Sequence, residues 1–158
     1  MSVNKENNLT LVQISDSQSK RRYQETLLAE SMGNDLYEIK SIPRFTNEVN
    51  YKDIVRAAVL TSDTYPIVSE VVIKSGFRTI RIAFNKIVAE KEQREILYSL
   101  QKQQTIHETI CEGFYVLNVF PNGNTQSILN YLLGLKNRGY LLFEPDVSLE
   151  EILLIGFS

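Results

Sequence analysis

The sequence predicts an α+β protein in two parts, a first half of short strands and a second half in which helices alternate with strands. Three observations predict it. Through residue 84, apolar residues come in short runs separated by Gly, Asn, Asp and Pro, which is the punctuation of strands and tight turns. From about residue 90 the apolar spacing lengthens to the i, i+3, i+4 pattern of amphipathic helices. The chain has 158 residues, 43% hydrophobic and 23% charged, enough to build a core without metal or disulfide staples.

Residues 1–8, MSVNKENN, are polar and are expected to be disordered. LTLVQI then reads as a strand, and the polar stretch 15–24 as a loop or single helical turn. ETLLAESM and LYEIKSI flank Gly33-Asn34-Asp35, a hairpin signal because Gly, Asn and Asp tolerate the positive φ that tight hairpin turns require. Pro43 lacks an N–H and ends the second of these strands. Residues 44–52 form a loop. DIVRAAVL and IVSEVVIK read as strands joined through TSDTYP, and Ser75-Gly76 turns the chain into RTIRIAF. Residues 9–77 are therefore expected to form a small, strongly bent, barrel-like sheet.

The second half begins with the strand at 78–84, which is expected to be shared with the first. In EKEQREILYSLQKQQ, Ile96, Leu97 and Leu100 fall on one helical face and charges on the other. HETIC and FYVLNVF read as strands. Asn124 or Thr125 caps a second helix, TQSILNYLLGLKNR, striped by Ile128, Leu129, Leu132 and Leu133, and Gly139 supplies its left-handed stop. YLLFEP closes the series. The order strand, helix, strand, strand, helix, strand over 78–147 is the ferredoxin-like βαββαβ sandwich pattern. It predicts two helices on one sheet face and an open opposite face, available to a partner or ligand. Ser148-Leu149-Glu150-Glu151 has capping-box spacing, so a short helix is expected within 148–158.

Composition removes several function classes. The formal charge of −2 argues against nucleic acid as the main partner. Lys and Arg slightly outnumber acids in 15–86, whereas acids predominate in 87–158. One cysteine and no secretory apolar region after the polar start point to a reducing, cytoplasmic location. No apolar run approaches the ~20 residues of a spanning helix.

Glu25, the runs LYEIKSIP, VNYKDIV and SGFRTIRI, Pro121 and GYLLFE together resemble a bacterial family known as domain of unknown function 4265. The likeness spans roughly 9–146. Its more specific parts are Ile42, Pro43 and Phe45 followed by Tyr51, Asp53, Ile54 and Val55, and then Ser75, Gly76, Thr79 and Arg81. Two positions depart from the family pattern. LLAE stands where the family carries a Trp after the first Glu, and Phe77 stands where it carries a polar residue such as His. Any chemistry resting on that polar residue is missing here. The resemblance implies a small soluble bacterial protein and no established reaction.

Candidate chemistry was weighed residue by residue. His107 and Cys111 share a strand face about 13 Å apart, too far for a thiol and its base. They offer a metal two ligands where structural zinc takes four, so no metal and no cofactor are expected. Gly123 before a helix start could bind an anion, but no phosphate-loop pattern accompanies it, and an ordinary loop with a cap explains it. Glu144, Asp146, Glu150 and Glu151 read as solvated charge and no catalytic residue is assigned. Tyr115 could stack a base on an open sheet, yet the basic and glycine signature of such folds is lacking.

The arginines are the open question. On RTIRI, Arg78, Ile80 and Ile82 share one face and Thr79 and Arg81 the other. An Arg between isoleucines must reach solvent or meet a carboxylate, and Asp53 and Glu144 are the candidate partners. The candidate binding set is thus Arg44, Tyr51, Asp53, Arg56, Arg78, Arg81 and Glu144. The structural alternative is an Asp53–Arg81 pair that pins two strands. With no catalytic constellation, the expectation is a protein-interaction module, of an immunity or antitoxin type that binds and blocks a partner. A sensing domain for an amino acid or nucleotide, or an enzyme using Arg81 and Asp53, are the alternatives.

Overall fold

A computed structural model describes residues 8–15, 24–62, 64–148 and 151–152. The fold is α+β and divides into two compact units, Met1–Phe77 and Arg78–Ser158. The expected disorder of 1–8 and most of the 15–24 loop lie outside the described residues. So does most of the expected C-terminal helix, although Glu151 and Ile152 are helical and the Ser148 hydroxyl accepts from the Glu151 amide at 3.2 Å.

The first unit is a closed five-stranded barrel: β1 (Leu9–Ser15), β2 (Gln24–Gly33), β3 (Leu36–Ile39), β4 (Ile54–Ala58) and β5 (Ile67–Ile73). Neighbours pair antiparallel except at the seam, where β1 meets β5 in parallel at Gln13 and Ile67. The Gln13 amide donates there to the Pro66 carbonyl at 2.8 Å. The β2–β3 hairpin turns on Asn34 and Asp35, with φ of 56° and 61°. Positive φ at both central positions is what a two-residue turn matched to the strand twist demands. Every second residue points inward, and Val12, Ile14, Leu27, Ala29, Ile39, Val49, Val55 and Ala57 fill the barrel.

The second unit holds β6 (Arg78–Phe84), α1 (Glu90–Gln101), β7 (Thr105–Cys111), β8 (Phe114–Val119), α2 (Thr125–Asn137) and β9 (Leu141–Glu144). Its sheet runs β7-β8-β6-β9, with each pair antiparallel. β6 is not shared with the barrel, because β8 and β9 occupy both its edges. α1 and α2 bury Ile96, Leu97, Leu100, Ile128, Leu132 and Leu135 against Ile80, Ile82, Leu117, Leu141 and Phe143. The α2 stripe turns inward at Leu135, leaving Leu133 exposed. Asn124 caps α2 by accepting from the Ser127 amide at 3.0 Å.

The opposite face of this sheet is largely buried, only Ile106 and Glu108 on the β7 edge being exposed among the described residues. Ala83, Phe114, Val116, Asn118, Arg81 and Glu144 point to it and all are buried. The cause is visible in β8, where all six residues are buried. A strand buried on every residue, apolar except for Asn118, is one covered on both faces. Tyr115 is no stacking platform either. It lies on the helix side, in the core, with its hydroxyl 3.3 Å from the Gln93 side-chain oxygen.

Candidate functional site

The polar residues singled out from sequence fall into two separate constellations. The first ties down the loop between β3 and β4. The Glu25 carboxylate, on β2, accepts from three consecutive amides: Arg44 at 2.6 Å, Phe45 at 3.2 Å and Thr46 at 2.9 Å. Asp53 closes the other end. One of its oxygens accepts from the Asn50 amide and the other from the Ser75 amide, both at 2.8 Å. The Ser75 hydroxyl donates to the Tyr51 carbonyl at 2.6 Å and accepts from the Phe77 amide at 3.2 Å. The Tyr51 and Phe77 rings meet edge to face at 5.2 Å, with the Lys52 ammonium 5.7 Å from each ring centre. Charge-assisted bonds to backbone amides are among the stronger neutral-pH interactions. The segment from Ile42 to Val55 is thereby fixed without any regular secondary structure of its own before β4.

The second constellation lies on the β6–β9 pair. Arg81 is 0% exposed, and its guanidinium meets the Glu144 carboxylate at 2.9 Å. The two residues are register partners on adjacent strands, so strand pairing itself delivers the acid to the base. Of the two carboxylates expected to answer Arg81, Glu144 therefore makes the observed pair, while Asp53 holds the Asn50 and Ser75 amides of its own unit. Among the described residues, the other Glu144 oxygen, Oε2, is buried without a hydrogen-bond partner, and so are both side-chain amide atoms of Asn118 on the same face.

The remaining candidates are surface groups. Arg44, Arg56 and Arg78 are exposed, and Arg56 pairs with Glu70 at 2.9 Å across β4 and β5. His107 and Cys111 do not combine into a site. Cys111 is an exposed thiol, and burial holds the His107 imidazole below its usual value of 6.5. Among the described residues, no group of three or more His, Cys, Asp or Glu side chains is placed to hold a metal ion.

Sequence reasoning passed over the most exposed feature of the barrel. Beyond β4 and β5 the chain forms a turn in which the Thr64 amide donates to the Thr61 carbonyl at 3.3 Å. Leu60 and Tyr65 flank that turn, with Val59 next to them, and they are 72%, 51% and 58% exposed. The signal was the run VLTSDTYP itself, which places large apolar residues at a hairpin tip where polar turn residues are the norm.

The fold and these constellations define a small α+β protein that couples a closed barrel unit to a helix-backed four-stranded sheet unit. The chain belongs to the family described as Domain of unknown function (DUF4265), which it matches over residues 25–143. Glu25, the Ile42–Val55 segment, Arg81 and Phe143 all lie within that span. A similar solved structure is described as "Novel crystal structure of a hypothetical protein from Neisseria gonorrhoeae", with a TM-score of 0.72 and 18% identity over 85% of this chain and 92% of that one. At that identity the likeness is one of fold. No curated protein matches the chain. No helix among the described residues is long and apolar enough to cross a membrane.

Proposed function

We propose that this protein is a non-catalytic interaction module whose contact surface is the β4–β5 hairpin tip, an immunity or antitoxin-type protein being the specific form. The observation that supports this reading is the exposure of Val59, Leu60 and Tyr65 together on the connection between β4 and β5. Large apolar groups gathered at a protruding point lose contact with water only when a partner covers them, and such patches mark interaction sites. The polar residues singled out as candidates for chemistry have other work: Glu25 and Asp53 hold backbone amides, and Arg81 holds Glu144. A reducing compartment such as the cytoplasm suits the exposed thiol of Cys111.

The test is capture from a lysate of the source cell with wild-type protein, Leu60→Asp and Ile87→Asp. Ile87 is 80% exposed in the other unit and serves as the control. A partner retained by Ile87→Asp and lost by Leu60→Asp supports the reading. Identical capture by all three proteins would refute it.

A second reading rests on Asn118. We take the second unit to be a ferredoxin-like sandwich, since its strand order and antiparallel pairing with both helices on one face follow that plan. Ferredoxin-like domains are recurrent ligand sensors, an argument by analogy alone. A buried amide with neither atom partnered is costly unless something hydrogen-bonds to it. An amino acid or nucleotide that raises the melting temperature saturably in wild type, and not in Asn118→Leu, would favour this reading over the first.

A further inference from the structure

β7 forms one edge of the sheet in the second unit. Among the described residues no strand or loop pairs with its outer side. Which of its backbone groups are open follows from the register. The Phe120 amide donates to the Gln104 carbonyl at 3.0 Å, and Thr105 stands opposite Val119. Inward and outward groups alternate along an antiparallel strand. The N–H and C=O of Ile106 and Glu108 therefore face β8, and those of Thr105, His107 and Thr109 face away from the sheet; Thr105 is itself buried, so the accessible edge is that of His107 and Thr109. A register shift between Thr109 and Cys111 ends the regular edge there.

Two further observations fall on the same residues. Thr105 Oγ1 and His107 Nδ1 are buried side-chain atoms without a hydrogen-bond partner among the described residues. The edge is also one-signed: across residues 105–119 the chain carries Glu108 and Glu112, both exposed, and no Lys or Arg. Ile106, beside Glu108 on the same face, is 39% exposed. We propose that β7 accepts an extended segment of a partner protein as an added strand, and that this segment carries Lys or Arg on the face of Ile106 and Glu108, alternating with apolar residues on the face of His107 and Thr109. Backbone pairing supplies the attachment and side-chain alternation the selectivity. A second copy of this chain is a poor occupant, because its own β7–β8 hairpin brings Glu108 and Glu112 and no cation to answer them. This surface belongs to the second unit and is independent of the barrel tip.

The probe is an end-blocked seven-residue peptide alternating valine and lysine, with a valine–glutamate peptide and an N-methylated valine–lysine peptide as controls. Amide hydrogen exchange is followed residue by residue. The expected result is saturable protection of the His107 and Thr109 amides by the lysine peptide. The glutamate peptide should bind at least about tenfold more weakly, and the N-methylated one should not protect. In Glu108→Lys, an exposed substitution that leaves the core untouched, the preference should invert towards the glutamate peptide. The proposal is overturned if these two amides gain no protection, if both charged peptides protect equally, or if Glu108→Lys leaves the preference unchanged. Loss of partner capture by Leu60→Asp has no bearing on this outcome.

Discussion

Glu144 shows how little choice a buried charge leaves its neighbours. Arg81 cannot shed its proton, so a fully buried guanidinium requires an acid, and register pairing of β6 with β9 supplies one. Removing one partner strands the other. Glu144→Ala is therefore expected to destabilise the fold by about 3–5 kcal/mol, whereas the joint replacement Arg81→Met with Glu144→Leu recovers much of the loss. Urea unfolding of the three proteins measures both effects. His107 gives a second test at this scale. It is the sole histidine, so its ring protons give one unobscured NMR titration. Burial lowers its folded pKa below 6.5, so below that pH the unfolded chain binds the proton more readily than the folded one. Its contribution to stability is full above 6.5 and is lost as pH falls towards the folded value. The titration midpoint is expected below 6.5, and His107→Asn should flatten the stability profile in the range just below pH 6.5. A midpoint at or above 6.5 would contradict the burial account.

At the scale of elements, α2 is set by its first turn. Asn124 accepts from the Ser127 amide, and Asn124→Ala should cost about 1 kcal/mol, read as a drop in melting temperature. Gly123, just before it, has a packing reason: a Cβ there would lie 2.8 Å from the Val119 side chain and 3.1 Å from the Phe120 carbonyl oxygen. Gly123→Ala is expected to destabilise more than the cap variant, because one of its clashes is with backbone. The same position was weighed as an anion cradle from sequence, and close approach explains it more simply. Strand and helix positions were legible because they are written in local spacing: the 3.6 period of α1 and α2, and Asn34-Asp35 between apolar runs. The double-sided burial of β8 was equally local, since FYVLNV contains no clean alternation, but the expectation of an open face overrode it. Glu25 was legible as part of a motif and not as a pin. Its partners lie 19 to 21 residues away, and no periodicity reports a contact between a strand and an irregular loop. Arg81 was legible as needing an acid; choosing Glu144 over Asp53 required the β6–β9 register, which a sequence does not contain.

For the molecule as a whole, the family's polar residues and its exposed apolar tip have different duties. Asp53 and its hydrogen bonds maintain the barrel unit, and Leu60 contributes nothing to the barrel core. The division predicts a crossed result. Asp53→Ala leaves the Asn50 and Ser75 amides without their acceptor and should lower stability by about 2–4 kcal/mol, with affinity for the captured partner unchanged in the protein that remains folded. Leu60→Asp should do the reverse. The decisive measurement is a binding isotherm of that partner against wild-type, Asp53→Ala and Leu60→Asp proteins, each at a urea concentration well below its own unfolding midpoint. The account predicts at least about a tenfold loss of affinity for Leu60→Asp alone, as expected for a buried apolar anchor. Undiminished binding by Leu60→Asp, or loss of binding by folded Asp53→Ala, would contradict it.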